Sequence, residues 1–257
     1  MTKIAVVIYS TYGHIISLAN SVVKGIESTG ATADLFQVPE TLSEDVLAMI
    51  HAAPKDESIK VLSSPDVLTG YDGIMFGFPT RFGNVPAQIS AFFDSAGGLW
   101  ASGGLYQKPC GLFTSTGTGG GNEMTIRNSL SFLAHQGMIY VPLGCATSFA
   151  ELTDLSEVHG GSPWGAAGIA GADGSRQFSE LELKIGYIQG TDFAKVAAKL
   201  SAAIPDATPA AAAAAATTTT AAEKSDAVET ETATPASKTA AATPPASSEK
   251  SGCCTIM

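Results

Sequence analysis

Ile4-Ala-Val-Val-Ile-Tyr-Ser-Thr-Tyr-Gly-His14 is the stretch that decides the fold. Its first five residues form a short, continuously apolar, largely β-branched run, the pattern of a strand buried on both faces of a parallel sheet. A polar loop follows at once, and beyond it Ile15, Leu18, Ala19, Val22 and Ile26 recur at helical spacing, ending before Gly30. The unit is strand, loop, helix, and it repeats. Ala33 to Val38 reads as a second strand. Gly73-Ile-Met-Phe-Gly-Phe78 reads as a third, leading through Pro79-Thr-Arg-Phe-Gly83 into a helix with Ile89, Phe92 and Phe93 inward. Cys110-Gly-Leu-Phe-Thr-Ser115 is a fourth, followed by a glycine-rich loop and a helix carrying Ile126, Leu130 and Leu133. Met138 to Leu143 supplies a fifth, and Phe193, Val196, Ala197 and Leu200 mark a last helix. Five alternations predict an α/β fold with an open, doubly wound, five-stranded parallel sheet.

Outside this alternation lie two segments. Gly144 to Phe178 is rich in glycine, and a loop that long inside a domain is functional or serves assembly. From Pro205 to Met257 there is no aromatic residue, and Val228 and Ile256 are the only large aliphatic residues other than the terminal methionine. Such a segment cannot build a core. The expected organisation is a domain over 1–204, a disordered Ala/Thr/Pro-rich linker over 205–252 and a terminal motif over 253–257.

Of the formal net charge of −10, the tail carries −3, which leaves −7 on residues 1–204. An acidic body argues against nucleic acid as a partner. No apolar run approaches the ~20 residues of a membrane-spanning helix, and the first residues lack a signal-peptide cleavage region, so a cytosolic protein is expected. The four cysteines suit neither a disulfide framework nor a zinc site, and no metal site is predicted. Cys110 and Cys145 read as small core residues.

In open α/β sheets a ligand sits beyond the carboxyl ends of the strands, where the strand order reverses. That selects the loops beginning at Ser10, Pro79 and Ser115. In the first, Ser10 and Thr11 lead into a helix whose free N–H groups and positive dipole end can receive a phosphate. In the third, Ser115-Thr-Gly-Thr-Gly-Gly-Gly121 has so little side-chain bulk that its backbone can approach a flat ring. Between them Thr80-Arg81-Phe82 offers a cation and an aromatic face. One phosphate pocket and two walls for a planar group describe a mononucleotide site. A dinucleotide fingerprint counted from Gly117 fails at Asn122, no Gly-Lys-Ser/Thr triplet forms a P-loop, and Tyr9, Ser10 and Phe78 stand where a phosphoacceptor fold needs acids.

Ser10-x-Tyr-Gly-His-Ile15, Pro79-Thr-Arg-Phe-Gly-Asn84, Gly97-Gly-Leu-Trp-Ala-Ser102, Ser115-Thr-Gly-Thr-Gly-Gly-Gly121 and Leu133-Ala-His135 together resemble the WrbA-type NAD(P)H:quinone oxidoreductases and their fungal flavodoxin-like relatives. The likeness covers nearly all of 1–204 and extends into Gly160-Gly-Ser-Pro-Trp-Gly-Ala166 and Ala170-Gly-Ala-Asp-Gly-Ser-Arg-Gln177. It implies a flavodoxin-like fold, FMN as cofactor, NADH or NADPH as hydride donor, two-electron reduction of a quinone and a homotetramer. By the same resemblance Ser10, Thr11, Tyr12, Gly13, His14 and Ile15 match the FMN phosphate loop, and Thr80, Arg81 and Phe82 match the ring-contacting loop. Ser115, Thr116, Gly117, Thr118, Gly119 and Gly120 match the second ring wall, His135 a flavin-site histidine, Tyr12 a nicotinamide contact and Trp100 a substrate contact. Because the flavin carries the chemistry, no catalytic acid or base is required of the protein. Two rival readings are a flavin-containing membrane scaffold or sensor with little turnover, and a one-electron carrier.

At the end of the chain, Cys254-Thr-Ile-Met257 has the form of a C-terminal prenylation motif whose final Met favours farnesyl on Cys254. One lipid chain holds a protein only marginally, and Cys253 is the natural site for palmitate as the second signal. The reading is therefore an enzyme tethered to the inner face of the plasma membrane, reducing membrane quinones in an antioxidant role.

Overall fold

The computed structural model of the chain describes residues 1–204. The first unit is β1 (Lys3–Ile8) and α1 (His14–Glu27), followed by β2 (Thr32–Gln37), the short α2 (Glu44–Met49) and the two-residue β3 (Lys60–Val61). A 3-10 turn, Pro65–Gly70, leads to β4 (Gly73–Pro79), α3 (Ala87–Asp94) and α4 (Gly97–Ser102). Then come β5 (Pro109–Thr116), α5 (Asn122–Gln136), β6 (Ile139–Tyr140), α6 (Phe149–Leu152), β7 (Ala167–Ile169) and α7 (Glu180–Ala203). All pairings between these strands are parallel, in the order β3-β2-β1-β4-β5-β6, with β7 also on β5. The order reverses between β1 and β4, so the crevice expected from the sequence opens above those two strands and β5.

Successive side chains on a strand point to opposite faces, and that alternation builds two cores. Ala5, Val7, Ile74, Phe76, Phe78 and Leu112 pack on one side with Ile89, Phe92, Ile126 and Leu133 of α3 and α5. Ile4, Val6, Ile8, Met75 and Phe113 pack on the other with Ile15, Leu18, Val22, Ile185 and Phe193 of α1 and α7. The close crossing of α1 and α7 needs small residues, because a Cβ on Gly190 would stand 2.1 Å from the Val22 carbonyl oxygen and one on Gly25 would stand 2.0 Å from that of Tyr187.

All five expected strands are present, but the sheet has seven strands among the described residues rather than five, because the short β3 and β7 add to them; the other departures from expectation are local. The fifth is shorter than Met138 to Leu143: after Tyr140 only the Val141 N–H still reaches the Cys110 carbonyl, Pro142 has no N–H to give, and the chain leaves the sheet. It returns as β7, which pairs with the carboxyl half of β5 through Thr114↔Ala167, Ser115↔Gly168 and Thr116↔Ile169. The long glycine-rich insert thus interrupts one edge strand and hands the space beside the Ser115 loop to residues 165–178. Cys110 is buried as expected, but Cys145 is exposed, because it lies on this excursion rather than in the sheet. The predicted linker 205–252 and motif 253–257, with Cys253 and Cys254, lie outside the described residues.

Candidate functional site

The loop after β1 ends in Gly13, whose φ of +88° suits a glycine and which precedes α1 with no side chain capping the helix. Gly13 N–H donates to Ser10 Oγ at 3.0 Å, while the N–H groups of Thr11, Tyr12, His14 and Ile15 have no acceptor among the described residues. Four unspent donors at the positive end of a 14-residue helix form a cradle for a phosphate. Ile15 serves it only through its backbone, since its side chain is in the core. His14 is nearly buried; its Nε2 lies 3.2 Å from the Arg176 carbonyl oxygen and its ring 5.5 Å from that of Phe178. The histidine therefore ties the returning arm of the insert to the loop.

Beneath the cradle lies a polar network that sequence reading did not find. Glu40, just past the carboxyl end of β2, accepts from Tyr9 Oη at 3.1 Å, Gln88 Nε2 at 2.6 Å and the Thr41 and Leu42 N–H groups, and it pairs with Lys55 at 2.7 Å. Burial works against its charge, but the Lys55, Gln88 and backbone donors prevail and its pKa falls from 4.5 to about 2. Burial, reinforced by Glu40, pushes Tyr9 to about 12, so the phenol stays a donor. Lys55 Nζ also lies 4.4 Å from the centroid of the Tyr9 ring and 3.3 Å from the Ser10 carbonyl oxygen, to which it donates, pinning the first residue of the loop. These partners are too far apart in sequence for any short motif to reveal them.

The other two loops are joined to the first. Arg81 donates to the Thr80 carbonyl and to Thr11 Oγ1, each at 2.9 Å, so it is a bridge between loops rather than a solvated charge. Thr80 N–H donates to the Ser115 carbonyl at 2.8 Å, and Thr80 Oγ1 lies 2.6 Å from Thr125 Oγ1. Phe82 follows with a φ of +53° and a ring 92% exposed, an unfavourable setting for an aromatic residue and a flat face open to a ring. On the third loop Ser115 and Thr116 are buried, and Thr116 Oγ1 accepts from Gly119 N–H at 2.8 Å. Gly117 lies against the Gly171 carbonyl, where a Cβ would come within 3.2 Å, and Thr118 and Gly120 complete the turn. Tyr12 stands half exposed, with its hydroxyl donating to the Ile50 carbonyl at 3.1 Å, so its ring is held over the opening. Three strand ends thus bring together every residue expected from the Ser10, Thr80 and Ser115 loops.

Trp100 and His135 do not join them. α5 starts at the Ser115 loop and runs away from it, and at about 1.5 Å per residue His135 lies ~20 Å along the helix. There it is exposed, with its Nδ1 2.7 Å from the Ser131 carbonyl oxygen. Trp100, 61% exposed on α4, is at the same far end, where Gln136 Nε2 donates to the Ala96 carbonyl. Within one chain neither residue can touch a ligand held by the loops.

A second network holds the insert. Glu182, with no exposed surface, accepts from the Ile169 and Ser179 N–H groups and from Arg176 Nη1, while Ser179 Oγ accepts from the Glu182 N–H. Ser179-Glu-Leu-Glu182 is a capping box, a signal present in the sequence.

Over residues 2–151 the chain matches the family described as NADPH-dependent FMN reductase. It belongs to that family. It is 55% identical over 199 residues to the Protoplast secreted protein 2 of Saccharomyces cerevisiae, covering 77% of this chain and 100% of that one. It is 54% identical over 198 residues to the NAD(P)H quinone oxidoreductase PST3 of Candida albicans, covering 77% and 98%. Among solved structures, a flavodoxin, WrbA-like protein from Agrobacterium tumefaciens superposes with a TM-score of 0.53 at 22% identity, over 77% of this chain and 99% of that one, and shows the same flavodoxin-like fold.

Proposed function

We propose that residues 1–204 form an NAD(P)H:quinone oxidoreductase that uses FMN and reduces quinones by two electrons. FMN and NAD(P)H are the cofactors of the family to which the chain belongs, and relatives at 52–54% identity are named NAD(P)H quinone oxidoreductases. The observation that carries the reading is the set of four unspent N–H donors at the head of α1, beside two loops bare enough to wall a flat ring. A phosphorylated planar coenzyme fits that arrangement.

FMN, when bound, supplies a centre that accepts a hydride and passes two electrons to a quinone. The chain's part is positional. Thr11, Tyr12, His14 and Ile15 donate their N–H groups to the phosphate, with the Ser10 and Thr11 hydroxyls beside them. Lys55 and Arg81 hold the loop in shape, and Thr80 and Ser115 to Gly120 wall the ring. Tyr12 and Phe82 offer aromatic faces to the nicotinamide and the quinone in turn. One slot serving both substrates requires the oxidised dinucleotide to leave before the quinone enters, so initial rates plotted in double-reciprocal form should give parallel lines. Intersecting lines would show that both bind at once and would remove this mechanism.

In our reading Trp100 and His135 complete the site from a neighbouring copy, since their own loops are out of reach. A homotetramer provides that neighbour, and light scattering should report four chains per particle. The tail serves as a tether: Cys254 as the prenyl site and Cys253 as the palmitate site would place the enzyme on the inner face of the plasma membrane, where it would reduce membrane quinones in an antioxidant role. Cys254→Ser should move the protein to the soluble fraction, and unchanged membrane retention would refute the anchor.

A further inference from the structure

We propose that the cleft between the head of α5 and residues 159–162 of the insert is a subsite for the adenylate half of NAD(P)H, binding its ribose and a phosphate. The proposal rests on the slot reading above, because the cleft is the continuation of that slot. Gly119 lines the cleft and belongs to the Ser115 wall, while the neighbouring Gly121 faces Thr80 Oγ1, which a Cβ there would approach to 3.2 Å. The cavity has a volume of about 490 Å³ and is lined by Asn122, Arg127, His159, Gly160 and Ser162 among others.

Its chemistry calls for two kinds of group in one ligand. The first is an anion. α5 is a 15-residue helix whose N-cap, Gly121, has no side chain to offer, and the N–H groups of Asn122, Glu123 and Met124 have no acceptor among the described residues. Arg127 adds a guanidinium one turn further along, lying 5.4 Å from the centroid of the Trp164 ring. Glu123, exposed and also lining the cleft, sets one negative charge against Arg127 and the three N–H donors.

The second is a hydroxyl. Asn122 is 7% exposed, and its Nδ2 donates to the Gly160 carbonyl at 3.1 Å, which fixes the amide with Oδ1 free. That oxygen is buried and unpartnered, as is Nδ1 of His159. A buried amide oxygen needs a donor, which the ionised diphosphate of a dinucleotide cannot supply and its ribose hydroxyl can. A sugar phosphate satisfies both demands. The reduced dinucleotide is the sugar phosphate that must already lie in the adjoining slot.

Arg127→Gln tests this in the full-length, FMN-loaded protein, since glutamine keeps the stem over Trp164 and removes the charge. KM should rise about ten-fold or more for the dinucleotide, the size expected for one charge-assisted hydrogen bond. KM for reduced nicotinamide mononucleotide, which lacks the adenylate half, should not change, and Arg127→Lys should recover most of the loss. Binding of 2′-phospho-ADP-ribose, read by calorimetry, should weaken by a similar factor, and that of ADP-ribose with it where Arg127 holds the diphosphate. A rise for NADPH alone would place the 2′-phosphate in the cleft, and a rise for NADPH and NADH together would place the diphosphate there. An unchanged KM for both dinucleotides, an equal rise for the mononucleotide, or undiminished binding of both ADP-ribose and 2′-phospho-ADP-ribose would overturn the proposal. Failure of the slot reading itself would look different: the protein would take up no FMN, whatever residue 127 is.

Discussion

Glu40→Gln keeps the shape of a side chain on which the phosphate loop rests and removes its charge. The carboxylate is stabilised by Lys55, Gln88 and two backbone donors strongly enough to hold its pKa at about 2 rather than 4.5, although burial opposes this. At about 1.4 kcal/mol per pH unit that difference corresponds to ~3 kcal/mol. Solvent reaches the pair, since the Lys55 side chain is 33% exposed, and screening reduces the figure to roughly 1.5 kcal/mol. Because the folded pKa lies below the unfolded one, this stability is present above pH 4.5 and is lost as the pH falls toward 2. Urea unfolding of wild type and variant should therefore show a gap of roughly 1.5 kcal/mol at pH 7 that shrinks to less than half by pH 3. Carboxylates common to both proteins cancel in that difference. The variant should also bind FMN several-fold more weakly, because Lys55 loses the partner that keeps its Nζ on the Ser10 carbonyl. No gap at pH 7, or one of the same size at pH 3, would refute the reasoning.

Three other substitutions probe separate parts of the structure. Glu182→Ala takes the acceptor from Arg176, 32% exposed, and from two part-buried N–H groups, and should cost about 2–3 kcal/mol in denaturant unfolding. Gly190→Ala places a methyl against the Val22 carbonyl and should destabilise by roughly 1–3 kcal/mol as α1 and α7 are forced apart; an unchanged melting temperature would show that the crossing is looser than described. Phe82→Ala removes a ring that packs on almost nothing within the chain, so stability should stay within about 0.5 kcal/mol while KM for the quinone rises.

The strands that carry the loops were legible because β1, β4 and β5 are buried on both faces, so β1 and β4 read as nearly unbroken apolar runs and β5 as one up to Phe113. The fifth was misjudged in length because its apolar residues continue past the point where Pro142 and the insert end its pairing. Cys145 looked like core for the same reason. Within the site, the three loops could be located from strand ends and glycine spacing alone, since topology places any such loop at the crevice. Glu40, Lys55 and Gln88 could not: their contacts join the ends of different units, and an acid beyond a strand has no local signature. For Trp100 and His135 the motif match held no information on direction. The helix between the Ser115 loop and His135 had to be laid down before it was plain that residue 135 ends far from residue 115.

The central claim is most directly tested by loading the purified protein with FMN without oxygen, adding NADPH, and then adding benzoquinone while the visible spectrum is recorded. The account expects the yellow absorbance to vanish on the first addition and return on the second. A protein that takes up no FMN, or whose bound flavin stays oxidised in excess NADPH, would contradict it.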